Sequence, residues 1–203
     1  FMMEGDRRKV DASEAFEIVI GRQRSPKHQL GDHITPYLRS ANVTSNGIDL
    51  DDVKSMNFTP DEQIKYKLQL NDVLVSEGSA SAKAVGLPAV WRGGLEGPVC
   101  FQNTLLRYRA IPGVTIPAFV DLWCRWAFDS GEYLKAATGT NIYHIGSQGA
   151  SKMKVRDTTV GQQESFASTM RCIADALASI QNEWDALIAL KTRLLATVFG
   201  GAS

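Results

Sequence analysis

The sequence has only three cysteines among 203 residues, Cys100, Cys124 and Cys172. An odd and widely spaced set is not a disulfide framework, so we expect reduced thiols and a cytoplasmic location. The three histidines have no zinc-ligand spacing with the cysteines, and no HExxH motif occurs. No apolar run approaches the roughly 18 residues that span a bilayer. The sequence therefore predicts neither a metal centre nor a membrane partner.

Motifs of known active sites are also missing. The glycine-rich stretch 93–97 lacks the Lys-Ser/Thr of a phosphate-binding loop, and residues 146–149 lack the order of a nucleophile elbow. No methyltransferase cofactor loop is evident. A Cys–His pair would form only through the fold, but Cys100 and Cys124 have the apolar neighbours typical of buried, inert thiols. We therefore expect a non-catalytic protein that needs no cofactor.

The formal net charge is zero, with 22 basic and 22 acidic residues. This balance argues mildly against nucleic-acid binding, for which a basic domain is the usual sign. The charges are nevertheless segregated, because segments 21–40 and 81–110 are mainly basic and the acids collect in 49–77. Such segments can fold into one basic face, although charge alone favours a mixed, solvated surface.

The sequence changes character near residue 160. In residues 1–160, short apolar stretches such as 16–20, 72–75 and 99–106 alternate with glycine and proline, which predicts strands joined by many loops. Thr59 and Pro60 predict the start of a short helix, and a second helix is expected from about Pro117 to Leu134. The fold class predicted for this part is a compact, loop-rich α+β domain.

Residues 161–203 contain almost no helix breakers and predict one long helix, for which Thr158 and Thr159 offer caps. Its apolar residues recur at steps of four and three, a heptad pattern that indicates a coiled coil. Only Lys191 is polar among these positions, and such a residue sets register at some cost in stability. The ten positions, called the seam below, are Phe166, Met170, Ile173, Leu177, Ile180, Trp184, Leu187, Lys191, Leu194 and Val198.

A helix of this length does not bury its apolar seam alone, and the sequence supplies no second long helix. The seam therefore packs either on the first domain or on another chain. Regular heptads favour the other chain, and we expect a homodimer formed through the C-terminal helix.

Side chains suited to DNA contact cluster in several loops. Arg pairs with guanine and Asn or Gln with adenine through two hydrogen bonds, while basic and hydroxyl groups hold phosphates. The candidates are Arg22, Gln23, Arg24, Ser25, Lys27, His28, Arg39, Asn42, Gln102, Asn103, Arg107, Thr140, Asn141, Lys152 and Lys154. We favour DNA contact for the 22–27 loop. For Arg39, Asn42, Gln102 and Asn103, hydrogen bonds that pin loops are an equal alternative.

Four stretches follow one another along the chain: residues 36–43 (PYLRSANV), residues 66–75, residues 102–107 and residues 139–145. In this order they resemble the "pylR-aNv" stretch, the "y-l--gDvLv" strand, the "Qn-l-R" segment and the segment that closes the recognition domain of one known family. That family is the specificity subunits of type I restriction–modification systems. The proline-rich start of the family's helix is missing, since 158–164 contains no proline.

The resemblance implies a domain that reads half of a bipartite DNA site in the major groove, and a helix that spaces the halves and docks methyltransferase subunits. Methylation with S-adenosylmethionine and cleavage would then occur in partner subunits. Family members usually hold two recognition domains and two helices, so the sequence corresponds to half a subunit, natural or excised. The alternative is a protein–protein module without DNA reading, such as a coiled-coil adaptor or an inhibitor of a restriction complex.

Overall fold

A computed structural model describes residues 8–25, 29–79, 81, 84–139 and 143–200. The described residues form two compact units, one that ends at Gln163 and one that begins at Glu164. The first unit is a loop-rich mixture of strands and short helices, and the second consists of helix alone. The predicted α+β class with a long C-terminal helix is confirmed.

The strands are short and the helices, apart from the last, are at most 13 residues long. The strands are β1 (Lys9–Asp11), β2 (Phe16–Ile20), β3 (Ile34–Leu38), β4 (Val43–Thr44), β5 (Gly47–Ile48), β6 (Lys54–Asn57), β7 (Val73–Ser76), β8 (Gly78–Ser79), β9 (Pro88–Val90), β10 (Cys100–Phe101), β11 (Leu105–Ala110), β12 (Tyr143–His144) and β13 (Lys154–Arg156). The helices are α1 (Ala12–Ala15), α2 (Pro60–Tyr66), α3 (Pro117–Asp129), α4 (Glu132–Ala136), α5 (Gly146–Lys152) and α6 (Val160–Phe199).

A four-stranded antiparallel sheet, in the order β2-β11-β7-β9, forms the middle of the first unit. β7 is buried along its whole length, as the apolar run Val73-Leu74-Val75 favours. Phe16 and Tyr108 of this sheet pack against Trp123 of α3, with their ring centroids 5.1 and 6.0 Å from that of Trp123. A second cluster around Leu74, Phe101 and Leu105 joins the sheet to the loops that precede β10.

A second sheet has three strands, in the order β10-β3-β6. β3 pairs with β6 in antiparallel register, which places Tyr37 opposite Lys54. The helix that follows β6 begins as predicted, because the Thr59 hydroxyl accepts from the Glu62 amide and the Glu62 carboxylate accepts from the Thr59 amide.

One predicted helix is interrupted. The segment from Pro117 to Leu134 is two helices, because α3 ends at Asp129 and α4 begins only at Glu132. Gly131 has a φ of 75°, a left-handed conformation that glycine adopts at little cost and that a helix does not continue through. The Ser130 hydroxyl also bonds to the Trp126 carbonyl and closes the last turn of α3.

The predicted long helix is confirmed as α6. Thr159 caps it reciprocally with Gln162: each residue's side-chain oxygen accepts from the other's backbone amide, at 3.1 and 3.3 Å. Eight of the seam positions, from Ile173 to Val198, are exposed in the single chain. None of the helices in the described part of the chain is long and apolar enough to cross a membrane.

Candidate nucleic-acid interface

The Arg22 side chain points into the fold, with only 7% of the residue exposed. Its Nε donates to Glu62 Oε1 at 2.7 Å, a terminal nitrogen donates to the Asn57 carbonyl at 3.1 Å, and the guanidinium lies 5.2 Å from the Phe58 ring centre. Charge-assisted bonds of this kind are strong and leave few donors for a base. We therefore do not include Arg22 in the proposed DNA-contacting surface.

Arg107 is also internal, with 1% of its surface exposed. It forms an ion pair with Glu17, donates to the Lys65 carbonyl at 3.3 Å and lies over the Phe101 ring. Burial, together with the neighbouring Arg109, lowers the pKa of Arg107. Arg107 thus joins β11 to β2 and to the last turn of α2, a structural role, and it too is left out of the interface.

Asn42 is buried and holds the loop around it. Its Oδ1 accepts from the Arg39 amide at 3.1 Å, and its Nδ2 donates to the carbonyls of Asp49 and Asp52 at 3.0 and 3.2 Å. The loop-pinning role, one of the two alternatives for this residue, is what the structure shows. Its function is to fix the 49–52 backbone beside β3.

Gln102 and Asn103 are half-buried in the turn between β10 and β11. The backbone N–H of Gln102 donates to the Leu38 carbonyl at 2.8 Å, and the backbone N–H of Asn103 donates to the Arg22 carbonyl at 3.0 Å. A Cβ at Gly21 would lie 2.2 Å from the Gln102 carbonyl oxygen, so only glycine allows this close approach. Contact of these two side chains with DNA remains a prediction.

Gln23 and Arg24 are exposed, and Ser25 is half-buried. Arg24 and Ser25 form one wall of a groove of about 410 Å³. We call this the basic groove, and its lining residues are Arg24, Ser25, Gln29, Tyr37, Arg39, Lys54, Ser55 and Met56. Three cations thus meet in one depression whose other walls offer hydroxyl and amide groups, a combination suited to phosphates and base edges.

Five lining residues of the groove were not among the sequence candidates, namely Gln29, Tyr37, Lys54, Ser55 and Met56. Lys54 is separated from the acidic segment 49–52 by Val53 alone, and that charge pattern gave no indication that Lys54 lies in a basic groove. Only the antiparallel pairing of β6 with β3 brings Lys54 beside Arg39. One signal could have indicated that Lys54 lies on an exposed strand. In residues 54–57 the apolar Met56 is buried and its neighbours are more exposed, as in a half-buried strand.

One carboxylate, that of Asp52, accompanies the cations of the groove. It accepts from a terminal nitrogen of Arg39 at 2.5 Å and from Lys54 Nζ at 2.6 Å. The hydrogen bond from Lys54 and the charges of Lys54 and Arg39 lower the pKa of Asp52, so it stays ionised at neutral pH. The Arg39 Nε is buried and has no hydrogen-bond partner among the described residues.

The remaining basic candidates lie elsewhere. Lys152 and Lys154 line a second groove of about 290 Å³ beside Trp123 and Trp126, and this groove shares no lining residue with the basic groove. Lys154 Nζ donates to Asp11 at 2.6 Å. The other predicted contacts fall outside the described residues; these are Lys27, His28, Thr140 and Asn141.

The buried cysteines are unreactive. Burial raises the pKa of Cys100 to about 12 and also raises that of Cys124, so neither is a thiolate at neutral pH. Within the described ranges, no group of three or more His, Cys, Asp or Glu side chains is arranged to hold a metal ion.

No family model and no curated protein matches the sequence, but solved structures match its fold. One comes from work on "complex assembly and conformational transition of the type I R-M system", with a TM-score of 0.64 and 14% identity over 95% of this chain and 44% of that chain. The HsdS subunit from Thermoanaerobacter tengcongensis matches with a TM-score of 0.61 and 15% identity, over 98% of this chain and 46% of that one. The type I S subunit from M. genitalium matches with a TM-score of 0.53 and 11% identity, over 98% and 47%.

These matches cover both units of the chain, so they extend to the first unit and to the long helix alike. The resemblance noted in the sequence is confirmed at the level of the fold. This chain is folded like the specificity subunits of type I restriction–modification systems, and it spans less than half the length of the solved chains that it matches.

Proposed function

We propose that this chain is a non-catalytic specificity subunit of a type I restriction–modification system that reads one half of a bipartite DNA site. The observation that carries the proposal is the fold similarity to S subunits over nearly the whole chain. The first unit is the recognition domain, and α6 is the spacer. Methyltransferase subunits dock on this helix, and through them the restriction subunits join the complex.

The DNA-contacting surface consists of the exposed 23–25 loop and the basic groove. Gln23 and Arg24 are the side chains suited to base edges, because they offer paired hydrogen bonds to adenine and guanine. Arg39 and Lys54 are suited to phosphates. The zero net charge implies modest sequence-independent affinity, so the methyltransferase subunits supply much of the phosphate contact in the complex.

The exposed seam supports pairing of α6 with a second copy. Leu177, Ile180, Trp184 and Leu187 each leave about three fifths of their surface to solvent, which is costly for so many large apolar side chains in one row. An antiparallel pair of helices would cover both seams and place one recognition domain at each end. Two-fold symmetry then predicts an inverted-repeat DNA target with a fixed gap.

The test is selection of binding sites from random duplex DNA, with and without a methyltransferase subunit. We expect enrichment of a bipartite motif, strongest when the methyltransferase is present. Sequencing of methylated sites in a host that carries both subunits should recover the same motif. A lack of any enriched motif in both conditions would contradict the proposal.

Substitutions in the groove should separate base reading from phosphate binding. Arg24→Gln is expected to cost about 1–3 kcal/mol of binding free energy at one position of the motif and to relax specificity there. Lys54→Gln should weaken binding to all sequences alike and lower the slope of log K against log salt by about 1. The matched control is Arg125→Gln, which removes the same charge from α3, where Arg125 pairs with Asp121. If the control changed binding as much as either variant, the assignment of the groove would be wrong.

A protein–protein module without DNA reading is the second candidate, and the exposed seam is the observation that favours it. Such a module would bind a methyltransferase subunit through α6. It would enrich no DNA motif beyond what that subunit enriches alone, and the Arg24→Gln variant would behave like the unchanged protein. The same selection experiment therefore distinguishes the two functions.

A further inference from the structure

The carboxylate of Asp52 forms ion pairs with Arg39 and Lys54, the two cations of the basic groove that are best placed to bind a phosphate. It bonds to Arg39 and to Lys54 at once, with both distances within 2.6 Å. A DNA phosphate presents the same kind of anionic oxygen to the same donors. We propose that Asp52 is an intramolecular competitor of the DNA backbone, one that lowers sequence-independent binding at this groove. This inference rests on the proposed function and adds a specificity-determining residue to it.

The carboxylate is free to give way to a phosphate. In solvent lie 60% of the Asp52 side chain, 54% of the Lys54 side chain and 26% of the Arg39 side chain. Ion pairs between exposed groups contribute little net free energy, so exchange of the carboxylate for a phosphate at Lys54 costs little.

The Asp52 carboxylate is not needed to hold its own loop. Asn42 Nδ2 binds the backbone carbonyls of Asp49 and Asp52, and the Asp51 amide donates to the Asp49 carboxylate. These bonds place the 49–52 backbone beside the groove whether or not the Asp52 side chain bears a charge. The need to hold this loop therefore does not explain why a carboxylate lies between Arg39 and Lys54.

Displacement of the Asp52 carboxylate costs binding free energy, and every DNA sequence must offset this cost before Arg39 and Lys54 bind a phosphate. On a correct site the base contacts offset this penalty, whereas on an incorrect site nothing does. Sequence-independent affinity is the main competitor of specific binding in a genome, so a device that lowers it raises the specificity ratio.

The experiment compares Asp52→Asn with the matched control Asp51→Asn, each in the full chain. Asp51 lies in the same exposed loop, and its replacement removes the same charge. Binding of a random-sequence 30-base-pair duplex is followed by fluorescence anisotropy at several salt concentrations. We expect Asp52→Asn to tighten this binding about three- to tenfold and to steepen the salt slope by about 1, with a smaller effect from Asp51→Asn. Thermal unfolding should be unchanged in both variants.

Adding both Arg39→Gln and Lys54→Gln to Asp52→Asn should abolish the gain, because the two released cations are then absent. Equal effects of Asp52→Asn and Asp51→Asn, or a gain that survives the removal of both cations, would overturn the inference. Motif enrichment in the selection experiment would persist in that case, so the proposed function would stand. If the gain occurs as expected but no variant enriches a motif, the groove binds the DNA backbone and the base-reading function fails instead.

Discussion

Replacement of both Ile180 and Leu187 by Glu is expected to convert a dimer of this chain into a monomer. The two residues lie one heptad apart in the seam, and in the single chain they are 62% and 61% exposed. Burial of such a side chain at an interface contributes about 1.5–3 kcal/mol, and a carboxylate placed there adds a desolvation cost. The loss from two seam residues in each of two chains raises the dimer dissociation constant more than about a hundredfold.

Light scattering at micromolar concentration measures this change. The control carries Asn182→Glu and Ala189→Glu, which add the same charges to the face of α6 opposite the seam. The control should remain dimeric, and the thermal transition of the first unit should be retained in both variants. A monomer in the unchanged chain at this concentration, or equal dissociation of the control, would contradict pairing through the seam.

Asp72→Ala is expected to destabilise the first unit by about 3–5 kcal/mol, the usual cost of breaking a buried ion pair from one side. Asp72 is 1% exposed and accepts two hydrogen bonds of 2.7 Å from Arg109, in the paired geometry typical of Arg and carboxylate. Asp72 also accepts from the backbone N–H of Gln69 at 2.7 Å. The substitution leaves the Arg109 guanidinium and the Gln69 backbone N–H without the Asp72 carboxylate as their acceptor.

Urea unfolding followed by tryptophan fluorescence, at one fixed protein concentration, measures the loss. Asp121→Ala is the matched control, because Asp121 pairs with Arg125 within one helix and at the surface. Its cost should stay below about 1 kcal/mol, as is usual for such pairs. A loss for Asp72→Ala as small as that of the control would show that the Arg109 pair does not hold β7 to β11.

Local pattern predicted several elements well. The alternating residues 16–20 form strand β2, Thr59 and Pro60 begin helix α2, and the heptad pattern lies in helix α6. Each of these rests on contacts between residues a few positions apart, which a sequence displays directly. The single helix expected from Pro117 to Leu134 was wrong, since the apolar spacing concealed the left-handed turn that Gly131 makes.

The candidate interface depends on contacts that the local sequence does not display. Arg22 and Lys54 are examples, since the burial of the first and the position of the second differ from what their neighbours in sequence indicate. Arg22 lies in a basic loop but is drawn inside by Glu62, which is 40 positions away along the chain. Lys54 follows an acidic segment but is brought to the groove by the pairing of β6 with β3.

The sequence by itself determined the long helix, its apolar seam and the α+β class of the domain before it, because periodicity and caps act over a few residues. It also indicated, through the order of weak motifs, the specificity-subunit fold that the solved structures confirm. Only the tertiary structure decided which cations face solvent. That choice depends on partners distant in sequence, such as Glu62 for Arg22 and Asp52 for Lys54, and on the burial that sets the strength of each pair.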